Sequence, residues 1–387
     1  MTKYTTVFTS LLRHFSRSEF QSAISGHRAD FRTRTFKSWD LFKSLLYAQI
    51  SGCFSVREIE TSMKVNSSRL YHAGLMQVKR STFCDALEKR PSDMFMSVFH
   101  QVVNKAQSIA GIKKKKFTNP LRIIDMTIIS LCLKKFDWAK FRTTKGAVKL
   151  HLTLDGDNLI PFNACLTEGT VHEKNRICRL ADESGVIYSM DRGYIDYKSL
   201  YTIDLHDSIF VTRMKRNCAY KRIYSNPHEE EGPVISDVLI ELTGPMTKNY
   251  YPKLLRKIKY KAPDTGKVYE FLTNDMERQA QEIADIYKER WEVELFFKWV
   301  KQHLRIKSFY GTSQNAVNSQ ILIALILSVL LWISKTLEGI TVSTFELLRM
   351  MKTTLLTKRS LTELCTNISV PPPVDDSLQL VLDGFEC

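Results

Sequence analysis

The chain has 387 residues, 44% of them hydrophobic, enough to bury a substantial core in two or three domains. A formal net charge of +15 and a pI near 9.3 favour a polyanionic partner. Eight cysteines with no Cys-x2-Cys pair argue against a zinc ribbon or a disulfide framework and read as reduced, mostly buried thiols of a cytoplasmic protein.

The charge is uneven: residues 1–116 hold 20 basic against 8 acidic side chains, so +12 of the +15 lies there. The N-terminus through Phe20 is polar and interrupted by Arg13, His14 and Arg17, which is not the pattern of a secretory signal. Helical spacing predicts a helix over 39–50 with Ser38 as its N-cap, and Ser55 with Glu58 has the form of a capping box opening a helix to about 63. A third helix is expected from Ser81 to Arg90, stopped by Pro91. Three basic helices in this order suit a helix-turn-helix-like DNA reader, with Lys79, Arg80, Ser81 and Thr82 at the start of the recognition helix. A helical bundle with an ordinary basic surface fits the spacing equally well. A longer amphipathic helix follows over 92–109. The Lys113–Lys116 run reads as a boundary, and equally as a non-specific grip on a DNA backbone.

Beyond it the period changes. Residues 121–125 form a short apolar strand ending in Asp125, 128–133 a second, and 148–154 a third before an Asp-Gly-Asp-Asn turn. A strand over 186–190 ends in Asp191, and 208–213 forms a further strand. Residues 215–272 lean to β-structure, and Asn274 with Glu277 is expected to cap the following helical region. In that region Tyr287, Arg290, Glu294 and Lys301 fall on one face of a helix, beside an apolar stripe of Ile286, Val293, Phe296, Phe297, Val300 and Leu304. A solvated Glu-Lys face is the commoner meaning of such charges, yet Glu294 and Lys301 stand too far apart for a local pair. The apolar run 321–333 is shorter than the roughly 20 residues that span a bilayer and reads as a core helix, so no membrane partner is expected.

Two acids at strand ends and a third on a distant helix suggest phosphodiester chemistry, in which three carboxylates hold two metal ions. Asp155 and Asp157 are explained by turn chemistry, Asp137 and Asp196 lie off the strand ends, and the His172-Glu173 pair fits no zinc spacing. All are left outside the site, with Asp157 the nearest contender.

The Tyr287-x2-Arg290-x3-Glu294-x6-Lys301 spacing resembles the signature of the Tyr-Arg-Glu-Lys group of bacterial insertion-sequence DDE transposases. Asp125-Met-Thr127 and Asp191-Arg-Gly-Tyr194 are similar to that group's first and second aspartate motifs. Phe136–Arg142 with Lys145-Gly146 resembles the group's stretch downstream of the first aspartate, and 210–215 its strand downstream of the second. The resemblance covers most of residues 31–335. It implies an α/β fold, with a ribonuclease-H-like catalytic core over 117–335, a β-rich insertion at about 215–272, an all-α DNA-binding domain over 1–116, and a C-terminal helical segment with a flexible acidic tail over 336–387. It further implies Asp125, Asp191 and Glu294 as catalytic metal ligands for Mg2+ or Mn2+, and Tyr287, Arg290, Lys301 and Lys145 as DNA contacts beside Lys79 and Arg80. Double-stranded DNA, at element ends and target, would be the partner of a homodimer in a synaptic complex, and the protein would sit with the nucleoid. Excision through a hairpin is the mode the resemblance favours. Met126 departs from the pattern, which has a small residue there. No tryptophan lies between Trp138 and Trp291 to hold a flipped base, for which Tyr250, Tyr251, Tyr260 or Tyr269 are substitutes. A catalytically lapsed DNA-binding descendant and a metal-dependent nuclease are the alternatives to an active transposase.

Overall fold

The structure is a computed structural model that describes residues 5–111, 116–143, 145–229, 231–304, 306 and 308–366. The chain opens with seven helices: α1 (Val7–Leu12), α2 (Arg17–Ile24), α3 (Ser38–Ser51), α4 (Val56–Val65), α5 (Ser67–Leu70), α6 (Arg80–Lys89) and α7 (Asp93–Ala110). The expected helices are present, with altered caps. Ser38 is the first residue of α3, not its N-cap, and its backbone N–H and hydroxyl both donate to Asp30. Ser55 does cap α4, but Glu58 reaches back to the N–H of Phe54 instead of closing a reciprocal box. Residues 112–115 of the expected linker lie outside the described residues.

The second part contributes β1 (Leu121–Leu131), β2 (Lys140–Arg142), β3 (Lys145–Asp155), β4 (Ile160–Glu168), α8 (Ile177–Leu180), β5 (Ile187–Met190), α9 (Tyr197–Leu205) and β6 (Ile209–Arg213). The 215–272 stretch then supplies β7 (Tyr220–Ser225), β8 (Val234–Leu242), α10 (Pro245–Tyr250), β9 (Leu255–Lys261) and β10 (Val268–Thr273). Among the described residues these ten strands make one sheet in the order β2-β3-β1-β5-β6-β10-β9-β8-β7, with β4 also on β3. Only β1, β5 and β6 are mutually parallel. The β-rich stretch is thus no separate unit: β10 pairs antiparallel with β6 and prolongs the central sheet.

Two strand expectations change. The segments expected over 121–125 and 128–133 are one continuous strand, so Asp125 sits inside β1. Its parallel pairing with β5 stops at Ile124, while its other edge keeps pairing antiparallel with β3 through Leu131. Asn274 does not cap a helix; it bonds Phe210, Asp204 and Ser208, bracing the start of β6.

Helices α11 (Ala280–Lys288), α12 (Trp291–His303), α13 (Gln314–Glu338), α14 (Thr344–Thr354) and α15 (Leu361–Thr366) close the described chain. The helix expected to carry all four signature residues is broken at Glu289-Arg290, where Arg290 N donates to Tyr287 O and Glu292 N to Glu289 O in tightened i→i−3 turns. α13 is long and apolar enough to cross a membrane, but 89% of its apolar window is buried inside the protein. It packs on α3, α6 and α7 of the first third and on β4, so the N-terminal helices share a core with the C-terminal ones. The opposite face of the sheet is covered by α8, α9 and α10 around Ile177, Leu200, Phe210 and Tyr251. The acidic tail beyond Thr366 lies outside the described residues.

Candidate active site

Strand register builds the site. Ile124 pairs with Met190 and Met190 with Thr212, so the next residue on each of the three parallel strands is Asp125, Asp191 and Arg213, side by side at one level. Beyond β5 the chain turns at once: Asp191 caps the short 3-10 turn Arg192–Tyr194, accepting from Gly193 N. Gly193 leaves room here for the Glu173 carboxylate, one oxygen of which would lie 1.9 Å from a Cβ at this position. From the other side α12 brings Glu294, and the break before it turns Arg290 inward to 6% exposure.

Asp125, Asp191 and Glu294 line one cavity of about 550 Å3 together with Met126, Thr127, Arg213, Arg290, Lys298 and Lys301. Arg290 bridges two of the acids, with Nη1 2.5 Å from Asp125 Oδ2 and Nη2 2.9 Å from Glu294 Oε1. Arg213 Nη2 lies 3.0 Å from Asp191 Oδ1. Burial pushes the Asp125 carboxyl up to about 6 even with Arg290 opposing it, and the charges of Asp191 and Glu294 add to the rise. Burial acts on Asp191 in the same direction, but there the Arg213 hydrogen bond and charge win and hold it below the ordinary carboxylate range. Both guanidiniums stack on the ring of Tyr287, at 5.6 Å for Arg290 and 5.9 Å for Arg213. Arg290 Nε, Arg213 Nε and the Tyr287 hydroxyl are all buried with no acceptor for their protons. Such donors are costly to leave bare and mark a place for an anionic ligand.

Asp125, Asp191, Arg290, Glu294 and Lys301 are therefore brought together. Tyr287 stands beside them, its ring packed on Phe271 at 5.0 Å and lining a second, aromatic cavity with Tyr260, Tyr269 and Trp291. Of the tyrosines weighed for a flipped base, Tyr251 is core and Tyr250 lies on α10. Lys79 and Arg80 line a separate cleft with Arg57, Glu60, Thr61 and Ser81, where Glu60 accepts from Arg80 N at 2.9 Å. Lys145 is paired next to Gly146, opposite Leu131, and so lies roughly 20 Å along the sheet from Asp125. Asp157 accepts from Lys116 N, Asp155 pairs with Arg122, and Asp196 caps α9, so all three stay outside the cavity.

Two contributors were not singled out from the sequence. Arg213 ends β6 level with Asp125 and Asp191 on the two neighbouring parallel strands, a signal visible only once those strands are aligned. His151, fully buried on β3, bonds the Tyr194 hydroxyl at 2.9 Å and Thr167 at 3.1 Å, and so holds the turn after Asp191 from behind. Nothing in the sequence pairs those residues.

Among the described residues no three His, Cys, Asp or Glu side chains stand close enough to share one metal ion as they are placed. The donor set nevertheless fits a hard divalent cation, since it is purely carboxylate and two of the three acids already share one positive charge, the Arg290 guanidinium.

A family described as "Transposase DDE domain" matches residues 116–330, and one described as a domain of unknown function (DUF4372) matches residues 3–76. A protein of Sinorhizobium fredii (strain NBRC 101917 / NGR234) bearing the transposase name y4zB is 33% identical over 297 residues, 76% of this chain and 81% of that protein. The "Probable transposase for insertion sequence element IS5377" of Geobacillus stearothermophilus is 27% identical over 335 residues, covering 86% of this chain and 85% of the relative. A piggyBac transposase synaptic complex with hairpin DNA aligns over 98% of this chain and 89% of its own, with a TM-score of 0.47 and 12% identity.

Proposed function

The chain belongs to the DDE transposases of insertion sequences, and from that premise we propose that it binds the terminal inverted repeats of its element, cleaves them and joins the 3′ ends to target DNA. Asp125, Asp191 and Glu294 are the catalytic acids, and the core that carries them is ribonuclease-H-like. The observation that carries this reading is the convergence of three acids, separated by up to 169 positions in the chain, on one cavity lined by the buried Arg290 and the half-buried Arg213.

Asp125, Asp191 and Glu294 would hold Mg2+ or Mn2+. When bound, such a pair would supply activation of the attacking oxygen and charge stabilisation of the leaving one. The chain's own residues supply the rest. The Tyr287 hydroxyl and the free Nε groups of Arg290 and Arg213 offer donors to a phosphate of the strand end, and Lys301 adds a point charge. This is the role expected of the Tyr-Arg-Glu-Lys group. Arg290 is held by Asp125 and Glu294, so it braces the helix break and keeps a donor free for DNA. The basic first third binds the repeats, a second copy of the chain completes the synapse, and the working location is the nucleoid.

The test is cleavage of DNA carrying the element's own ends, in Mg2+, with a chelator control. Asp125→Asn and Glu294→Gln should lose cutting while retaining DNA binding. Normal cutting by either variant would remove that acid from the site. Arg290→Ala and Lys301→Ala should slow the steps after first-strand nicking more than nicking itself, because misplacement by about 1 Å costs on the order of 100-fold.

A further inference from the structure

The turn that joins the first helices to α3 carries a set of side chains that the acidic cavity does not use. Phe31 is 71% exposed, and Arg28, Arg32 and Arg34 around it are exposed as well. None of these three arginines forms an ion pair among the described residues. The nearest acid in sequence, Asp30, is turned toward Ser38, whose N–H and hydroxyl donate to it at 2.7 and 2.8 Å, and pairs with none of the three arginines. The Arg32 guanidinium lies over the Phe31 ring at 5.2 Å, so the aromatic and the charge form one stacked surface.

The turn is fastened from beneath. Phe36 is 4% exposed, Arg90 donates to the carbonyls of Phe36 and Lys37, and the Lys37 ammonium donates to Thr33 O. His27 bonds Ser97 on α7 at 2.8 Å. Phe31 N donates to Arg28 O and Thr33 N to Asp30 O, closing two successive turns. Arg28 and Arg32 both take the left-handed conformation, at φ 48° and 57°, which glycine or asparagine would adopt at lower cost. Backbone strain is therefore accepted at two arginines flanking an exposed phenylalanine. Strain of this kind persists where the surroundings over-determine it.

The location of the turn matters as much as its composition. Arg90 ends α6, so this turn is anchored at the C-terminal end of that helix, whereas Lys79 and Arg80 stand at its N-terminal end. Ten residues of α-helix span about 15 Å, slightly more than the roughly 12 Å width of a major groove. The exposed face between the two ends carries Asp85 and Glu88, so positive charge is concentrated at the ends of α6 and not along it.

We propose that the Arg28–Arg34 turn is a second DNA-contacting element of the first third: its three arginines neutralise phosphates of a duplex that also meets Lys79 and Arg80 at the opposite end of α6, and Phe31 packs against sugar and base edges between them. This rests on the reading that the first third binds DNA. The chain's +15 charge and the three arginines' lack of ion pairs among the described residues select a polyanion, and stacked Arg-aromatic pairs present both groups that nucleic acid accepts.

The experiment uses the full chain, fluorescence anisotropy, and two labelled duplexes, one from the DNA flanking the coding sequence and one unrelated, over a salt series. The triple Arg28→Gln, Arg32→Gln, Arg34→Gln variant should flatten the slope of log affinity against log salt by about 2–3, since each phosphate contact contributes about 0.9. Arg32→Lys with Arg34→Lys should restore most of it. Phe31→Ala should weaken binding by about 10-fold with the slope unchanged. Lys79→Gln with Arg80→Gln serves as the second arm, and circular dichroism melts of all variants should match the wild type. If that arm weakens binding while the turn variants bind with wild-type slope and affinity, the turn is not a contact and this proposal alone falls. A wild-type chain that binds neither duplex overturns the DNA-binding reading of the first third, and this proposal with it. If Phe31→Ala leaves DNA binding intact and changes the oligomeric state in light scattering, the surface is a protein contact and the proposal is overturned.

Discussion

The acidic cavity and the cleft beside Lys79 and Arg80 are both charged, but they are built in opposite ways. The cavity draws its groups from β1, β5, β6 and α12, and each acid there either touches a guanidinium or is neutralised by one. The cleft draws on two neighbouring helices, its basic groups are exposed, and a carboxylate caps a helix start within it. Low-dielectric surroundings make every charge in the cavity depend on its neighbours. Screened, exposed charges act nearly independently. A change in the cavity should therefore alter chemistry or stability sharply, and a change in the cleft should alter binding in small, additive, salt-dependent steps.

The largest expected effect sharpens that contrast. Asp191→Asn should lower cleavage by about 1000-fold or more, with affinity for end DNA changed less than about 3-fold. A parallel loss of binding would mean that the two regions do not divide the work. Next comes His151, whose burial, with Lys149 and Arg176 nearby, lowers its pKa to about 4. The unfolded chain takes up this proton as pH falls below about 6.5, while the folded chain resists until about 4, so stability present at neutral pH is lost across that window. The loss should reach about 3 kcal/mol. Asp125, raised to about 6, works in the opposite direction over a similar range, so the measured quantity is the wild-type minus His151→Gln difference in denaturant midpoints between pH 7 and pH 4.5. A flat difference would show that the imidazole takes up protons within the fold.

A smaller effect is expected for Arg290→Ala. Removing one partner of a buried pair ordinarily costs about 3–5 kcal/mol, but Asp125 can take a proton in response. About 1–3 kcal/mol is expected, greater at pH 8 than at pH 6, by thermal melting of the DNA-free chain. If the variant melts as the wild type does but completes every cleavage step at the normal rate, Arg290 is neither brace nor clamp. The smallest effect belongs to the cleft: Lys79→Gln should reduce the salt slope of DNA binding by about 1 and leave melting unchanged.

Much of the fold was legible in the sequence because its signals are local. Apolar periodicity located α3, α4, α6, α7 and the strands β1, β3, β5 and β6 to within a few residues, whereas α13, which is longer than its apolar run suggested, is told from a membrane span only by its burial. That Asp125, Asp191 and Glu294 belong together was legible too, and they do line one cavity. Other features depended on partners distant in the chain. Whether Asp125 ends a strand was decided by β3, which pairs on past it; whether 215–272 stands apart was decided by β10 choosing β6. The break before Arg290 has no proline or glycine to announce it and is accompanied by two ion pairs, one of them 165 positions away. Arg213 and His151 carry no signal of their own, because a basic residue at a strand end and a histidine in an apolar strand acquire meaning only through what register places beside them. Sequence by itself determined which residues could bear charge at the site. Tertiary structure decided which charges would meet, because a buried charge is tolerated only where long-range packing delivers its partner.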